Sequence, residues 1–323
     1  MPVITNRDDA GEIIDKTVKK GVSLAIFCTA SHWNTEAILI AADNFAKRHG
    51  IENIPVAVAM TYTYEHMQQA CRVTRSSDPV TGFLSIMEHI RLLCGNKNSK
   101  YSNVSVLPHL DHGDPVRDRW ALTEGLPYLA SVMFDAQKYP YEENMRITRE
   151  YVEKYGNEVL IEGVMDELSV EGAAAGKKGG NYTERAVEYV KNTNVDFLVA
   201  DLGTEQQSSS VGEAKYLRDR AQKLTEGLGK AMLVLHGTSC LSESDINGLS
   251  EDGIARVNMW TRIVREAGQY AAEKLVNRIG DIRSGNFEAS ESRQYIFDCT
   301  DHAAGFMESI MANLGYANLV RKN

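Results

Sequence analysis

Short apolar runs alternate with longer amphipathic stretches along most of the chain. Eight of the runs have the length and the near-continuous apolar character of parallel strands that are covered on both faces. We predict strands at residues 23–28, 55–60, 104–110, 129–135, 159–163, 196–202, 231–236 and 254–259. The intervening stretches place apolar residues at helical spacing, for example at 35–50, 142–156 and 183–194, and Thr183 is the predicted N-cap of the last of these.

Eight successive strand–helix units predict an α/β fold, a (β/α)₈ TIM barrel of about the usual size. A helix at residues 7–20 precedes the predicted barrel, and extra helices follow it. An open, doubly wound sheet is the alternative, but that fold favours a GxGxxG turn after an early strand, and the sequence has none. We expect a single domain over residues 1–323, with the barrel at about 22–275 and a helical extension at about 276–323.

The composition narrows the class of protein. Hydrophobic residues make up 43% and charged residues 24%, and the net charge of −9 disfavours a general affinity for nucleic acid or anionic membranes. No stretch is apolar enough for a membrane helix, and the acidic start does not resemble a secretory signal. The five cysteines are scattered without a CxxC pair, as is typical of a reducing compartment, so we expect a cytoplasmic protein.

Polar residues gather at the predicted strand ends. In a TIM barrel the active site forms at the carboxyl ends of the strands, so these residues are expected to share one mouth. They come from seven of the eight strands: Thr61, Thr63, Asp111, His112, Asp135, Glu162, Asp201, Glu205, His236 and Asn258.

Two histidines at this mouth are candidate metal ligands. His112 and His236 each end an apolar run and each precede a glycine, which lets the backbone approach a ligand closely. Asp111 is placed to exchange a proton with a substrate, and His109 is expected to be a supporting or structural residue. The alternatives are structural histidines and a helix-capping aspartate. No lysine lies within or just after a predicted strand, which disfavours a Schiff base and favours a metal as the electrophile.

The loops after the last two strands have the composition of a phosphate site. They read HGTSC (236–240) and NMWTR (258–262), and the corresponding loops of TIM barrels commonly bind phosphate through amides, hydroxyls and a helix N-terminus. Ordinary turn formation and helix capping are the alternative interpretation.

These motifs resemble the class II (metal-dependent) fructose-bisphosphate and tagatose-bisphosphate aldolase family. The resemblance runs from about residue 22 to about 275 and is carried by HLDHG (109–113), SVMFDAQ (131–137), EENMRIT (142–148), HGTS (236–239) and NMWT (258–261). It implies that His112 and His236 bind zinc and that Asp111 donates a proton to the oxygen of the acceptor aldehyde. It also implies a substrate- and phosphate-binding set: Thr61, Gly237, Ser239, Asn258 and Thr261.

The sequence departs from the family pattern at several positions. Gln206 stands where the resemblance implies a third zinc histidine, and Glu205 beside it is the proposed replacement ligand. Glu162 is retained as one acid after the fifth strand and is a candidate catalytic residue. The general base is assigned to Glu171, with Glu167 as the next candidate.

The resemblance implies an aldehyde-lyase that makes or cleaves a C–C bond of a phosphorylated ketose through a metal-stabilised enediolate. The expected cofactor is a divalent metal, zinc first, and the expected assembly is a homodimer or a higher homo-oligomer. Trp260 replaces an Asn or Asp of the donor site, so we expect a substrate other than fructose 1,6-bisphosphate. Two alternatives remain: a metal-independent sugar-phosphate isomerase, epimerase or transferase, and a non-catalytic sugar-phosphate-binding protein.

Overall fold

Eight parallel strands close into a barrel in the order of the sequence. The computed structural model of the protein describes residues 3–166, 181–205 and 216–320. Every strand pairs with the next along the chain, and the first pairs with the last, so the predicted (β/α)₈ barrel is confirmed. The strands are β1 (Leu24–Cys28), β2 (Ile54–Thr61), β3 (Val104–Gly113), β4 (Ser131–Phe134), β5 (Leu160–Val164), β6 (Phe197–Val199), β7 (Leu233–Leu235) and β8 (Ile254–Met259).

Helices fill the connections between strands and cover the outside of the barrel. The helices are α1 (Arg7–Lys19), α2 (His32–His49), α3 (Gln69–Arg72), α4 (Pro79–Cys94), α5 (Tyr141–Tyr155), α6 (Tyr182–Thr193), α7 (Arg218–Leu228), α8 (Glu243–Ile246), α9 (Thr261–Asn277), α10 (Ile279–Arg283), α11 (Phe287–Ser290) and α12 (Ser292–Asn313). α12, near the C-terminus, packs against α2 and α9. No helix in these described ranges is long and apolar enough to cross a membrane.

Local sequence explains where several elements begin and end. α2 begins after Ser31, whose side chain caps a first-turn amide, and it ends at Gly50 in the left-handed conformation. The N-cap of α6 is Asn181, whose side chain accepts from two first-turn amides, so the prediction of Thr183 was wrong by two residues. β6 and β7 are shorter than the predicted runs because the chain leaves the sheet early to form loops at the mouth.

Candidate active site

A bulge in β3 brings two consecutive side chains to the same side of the barrel. In a regular strand Asp111 and His112 would point to opposite faces. The pairing of β3 with β4 is irregular between Leu110 and Gly113, and His112 has a left-handed φ of 49°. With this backbone, Asp111 Oδ1 lies 4.0 Å from His112 Nε2.

Two neighbours fix the ring of His112. Its Nδ1 donates to Asp135 Oδ2 at 2.6 Å, and Asp135 also accepts from the main chain and side chain of Gln137. The ring of Tyr64 stacks on the imidazole with the centroids 4.1 Å apart. These contacts leave Nε2 as the nitrogen available to a ligand. Burial lowers the pKa of His112, but the carboxylates of Asp111 and Asp135 outweigh burial and raise this pKa above its ordinary value.

His236 follows β7 and completes the cluster. One ligand atom from each of Asp111, His112 and His236 can be chosen so that all lie within 4.8 Å of one another, and all three residues are buried. Asp111 Oδ1 and His236 Nε2 have no hydrogen-bond partner among the described residues. Burial lowers the pKa of His236 to about 4, so this imidazole is neutral at neutral pH, which is the form that binds metal ions.

Amide and hydroxyl groups line the cavity next to this cluster. Its lining includes every residue of the predicted substrate-binding set, namely Thr61, Gly237, Ser239, Asn258 and Thr261. Gly237 has a φ of 69°, and a Cβ at this position would lie 2.9 Å from main-chain atoms of Glu205, so the tight turn after His236 requires glycine. α9 begins at Thr261 without a side-chain cap, which leaves its first amides to other partners.

Two buried N–H donors in the cavity lining lack partners. Asn258 Nδ2 and Trp260 Nε1 are both inaccessible to solvent and have no hydrogen-bond partner among the described residues. Buried donors in folded proteins are almost always paired, so these two N–H groups are candidate contacts for a ligand in the cavity. Thr61 differs from these two donors, because its hydroxyl donates to the main-chain carbonyl of Met67 and so stabilises the loop after β2.

Glu162 lies deeper in the barrel and does not line the cavity. It is fully buried, with Oε1 paired to the guanidinium of Arg256 and Oε2 at 3.6 Å from His109 Nε2. Ser131 Oγ accepts from Arg256 at 3.1 Å and contacts His109 Nδ1 at 2.8 Å. Burial raises the pKa of Glu162, and the Arg256 charge opposes this rise. These four residues form what we call the inner polar layer.

Some predicted site residues do not belong to the cluster or lie outside the described residues. The main chain of Glu205 lies against Gly237, but its carboxylate is not among the groups that form the cluster in the described part of the chain. Glu171, Glu167 and Gln206 lie outside the described residues. Their roles stay predictions. None of the described lysines lines the cavity.

Two neighbours of the cluster were not predicted from the sequence. Tyr64 lies in the loop after β2, and Cys28 ends β1 with its Sγ 3.5 Å from Asp111 Oδ2. Tyr64 follows the carboxyl end of a strand and Cys28 lies at one, which is the signal that identifies mouth residues in a barrel. The residue type gives no sign of a functional role at such a position, because aromatic rings and thiols are also common in apolar cores.

Comparison with known proteins decides the family. The family model described as class-II fructose-bisphosphate aldolase matches residues 8–319. The chain belongs to this family. The predicted resemblance is confirmed, and membership in a family whose relatives bear aldolase names makes the chain an enzyme of the aldehyde-lyase class.

Relatives in this class-II aldolase family are distant. A fructose-bisphosphate aldolase of Streptococcus pneumoniae is 28% identical over 212 residues, which cover 65% of this chain and 69% of the relative. A 6-phospho-5-dehydro-2-deoxy-D-gluconate aldolase of Bacillus velezensis is 30% identical over 202 residues, which cover 60% and 67%. The solved fructose-bisphosphate aldolase of Campylobacter jejuni has the same fold, with a TM-score of 0.75, 17% identity and coverage of 97% and 95% of the two chains.

Proposed function

We propose that this enzyme makes or cleaves a carbon–carbon bond of a phosphorylated ketose with the help of a divalent cation, zinc first. The observation that carries the proposal is the convergence of Asp111, His112 and His236 within 4.8 Å at the mouth of the barrel. The adjoining cavity, with the unpaired N–H groups of the Asn258 amide and the Trp260 indole and the start of α9, supports a phosphorylated ligand.

The residues of the cluster fit a divalent cation. His236 Nε2 is a buried acceptor without a partner among the described residues, and His112 Nδ1 is engaged so that Nε2 is left open. Two imidazoles with a carboxylate are a common donor set for zinc. Glu205 is the proposed further ligand, since its main chain adjoins the loop after β7. When bound, a cation here supplies a Lewis acid that stabilises negative charge developing on a carbonyl oxygen.

Asp111 is the proposed acid–base group for the acceptor oxygen. In the direction of bond formation it donates a proton to the aldehyde oxygen, which becomes a hydroxyl, and in the direction of cleavage it takes that proton back. Its Oδ1 suits this task because no described group occupies it. Proton exchange at the donor carbon is assigned to Glu171, as the family resemblance implies.

The loops after β7 and β8 are proposed to anchor the donor. Amides and hydroxyls of Gly237, Ser239 and Thr261 would hold the phosphate, and Asn258 would contact the donor's oxygens. Thr61 would border the donor without donating to it, because its hydroxyl is engaged by Met67 and Gln69. Binding energy from the remote phosphate is then converted into orientation of the reacting carbons.

Trp260 is the reason to propose a ketose other than fructose 1,6-bisphosphate. Its indole borders the cavity beside Asn258, where the resemblance implies a small polar side chain. The family contains more than one substrate class, because relatives are named both for fructose bisphosphate and for 6-phospho-5-dehydro-2-deoxy-D-gluconate. A different acceptor half on a phosphorylated ketose therefore suits this cavity.

Metal removal and return tests the proposal. Purified protein would be analysed for bound metal, treated with a chelator, and assayed for aldehyde release from a panel of phosphorylated ketoses before and after zinc, cobalt or manganese is restored. We expect cleavage of at least one ketose, its loss on chelation, and its recovery with metal. Retro-aldol turnover by metal-free protein would contradict the proposal. Isomerised product without cleavage would support the metal-independent alternative, and binding without turnover the non-catalytic one.

A further inference from the structure

Cys28 connects two parts of the candidate site. It is the last residue of β1, it is almost fully buried, and it faces the barrel interior between β2 and β8. Its Sγ lies 3.2 Å from Asn258 Oδ1 and 3.5 Å from Asp111 Oδ2. The side chain of Gln69 also hydrogen-bonds the sulfur. The thiol therefore has polar neighbours on several sides rather than the apolar surroundings of a core cysteine.

The thiol acts as a hydrogen-bond donor in this position. Both Asn258 Oδ1 and the Asp111 carboxylate are acceptors, and sulfur–oxygen separations of this length are typical of S–H···O contacts. An ordinary cysteine thiol has a pKa of about 8.5, so it carries the donor proton at neutral pH. The single thiol proton is shared between the two acceptors, and the sulfur–oxygen distance is shorter to the Asn258 amide than to the Asp111 carboxylate.

This contact determines which atoms of its two acceptors remain available. Asn258 has its amide oxygen turned to the thiol, and its Nδ2 is the buried donor that has no described partner. Asp111 has Oδ2 turned to the thiol, and its Oδ1 is the unpaired oxygen that lies 4.0 Å from His112 Nε2. A reversed amide would present an acceptor to the cavity, which would repel the oxygen of an anionic ligand.

We infer that Cys28 is a positioning residue, which holds the Asn258 amide with Nδ2 towards the substrate and the Asp111 carboxylate with Oδ1 towards the reacting oxygen. The inference deepens the proposed function and rests on it, because the two groups are those proposed to contact the donor and to exchange the proton. Cys28 itself does not exchange a proton with the substrate.

Substitution of Cys28 by serine or by alanine distinguishes a positioning role from a packing role. Cys28→Ser keeps the donor but adds a more polar group, whereas Cys28→Ala keeps an apolar side chain but removes the donor. A packing role predicts that alanine is tolerated at least as well as serine, and a positioning role predicts the reverse. Cys94 at the end of α4 is a matched control, because it is also fully buried and does not line the cavity.

Steady-state kinetics on the ketose that the enzyme cleaves gives the first readout. We expect Cys28→Ala to lower kcat by roughly 3- to 10-fold with a smaller change in KM, which is the scale of one lost hydrogen bond. Cys28→Ser should recover most of that loss. The Cys94→Ser and Cys94→Ala pair should leave kcat unchanged. Alanine performing as well as serine at position 28 would overturn the inference.

Infrared spectroscopy gives a second readout that needs no turnover. The S–H stretch absorbs where proteins are otherwise nearly transparent, and it moves to lower frequency when the thiol donates a hydrogen bond. The difference spectrum of wild type minus Cys28→Ala should contain a down-shifted band. A free-thiol band in an active enzyme would overturn this inference alone. A down-shifted band in a protein that cleaves no ketose would overturn the proposed function, and with it the catalytic part of this inference.

Discussion

Asp111 and Glu162 are two buried carboxylates on neighbouring parts of the same barrel, with opposite surroundings. Asp111 lies at the mouth, lines the cavity, and has one oxygen without a described partner. Glu162 lies in the inner polar layer, is paired with Arg256, and does not line the cavity. Both follow apolar runs in the sequence, but β5 continues past Glu162 to Val164, so an acid after an apolar run is not by itself a catalytic acid. What distinguishes them is whether an opposite charge already occupies the carboxylate.

Asp111→Asn should have the largest effect on turnover. The variant keeps the shape of the side chain but cannot exchange the proton, so we expect kcat to fall by roughly 10²- to 10⁴-fold. Metal content and thermal stability should match those of the wild type, measured by elemental analysis and circular dichroism. Asp8→Asn on the exposed start of α1 is a matched control. Loss of metal together with activity would show that Asp111 is a ligand rather than the acid.

Glu162→Gln should act on stability instead. It leaves the buried Arg256 charge without its partner, and breaking such a pair costs about 3–5 kcal/mol of unfolding free energy. Denaturant unfolding measures this loss. The double variant Glu162→Met with Arg256→Met should recover part of it, because an apolar pair leaves no uncompensated charge. Lost turnover at unchanged stability would instead support the catalytic role that the sequence analysis assigned to Glu162.

Asp135→Asn should weaken metal binding without abolishing it. Asp135 accepts from Nδ1 of His112 and so holds Nε2 towards the cluster. Loss of such a supporting carboxylate typically lowers metal affinity about 10- to 100-fold. Competition with a chromogenic chelator measures the affinity, and kcat at saturating metal should stay closer to the wild-type value than the affinity does. An unchanged affinity would show that Tyr64 stacking alone orients the ring.

His109→Gln should reduce the acid sensitivity of folding. Burial, with the Arg256 charge, lowers the pKa of His109 well below its ordinary value, so only the unfolded chain binds this proton in mildly acidic solution. The resulting stability is present above about pH 6.5 and is lost at about 1.4 kcal/mol per pH unit below it. Unfolding free energies of wild type and variant at about pH 7 and about pH 5 would test this. Equal pH slopes would contradict a neutral, buried His109.

The barrel could be predicted because its signal is local. Each strand is a near-continuous apolar run, as in the fully buried β2, and eight such runs between helical patterns leave few architectures. The predicted ends of β6 and β7 were less accurate, because the chain leaves the sheet within an apolar run and continues into the loops at the mouth. Single-domain organisation, cytoplasmic location and homo-oligomeric assembly stay predictions.

Of the candidate site, the sequence could predict only those residues that lie at the ends of predicted strands. Asp111 and His112 lie at one such end and His236 at another, and the structure brings the three residues together. The partner of Glu162 could not be predicted, because Arg256 is 94 residues away and sequence does not show which side chains meet across a barrel. The Cys28 contact was missed for the same reason.

The central claim is that His112 and His236 share one divalent cation at the mouth of the barrel. X-ray absorption at the edge of the bound metal tests it most directly, with wild type compared with His112→Ala and His236→Ala. We predict one metal per chain with two imidazole ligands, and the loss of one imidazole contribution or of the metal in either variant. A wild-type spectrum without imidazole scattering, or one unchanged by both substitutions, would contradict the claim.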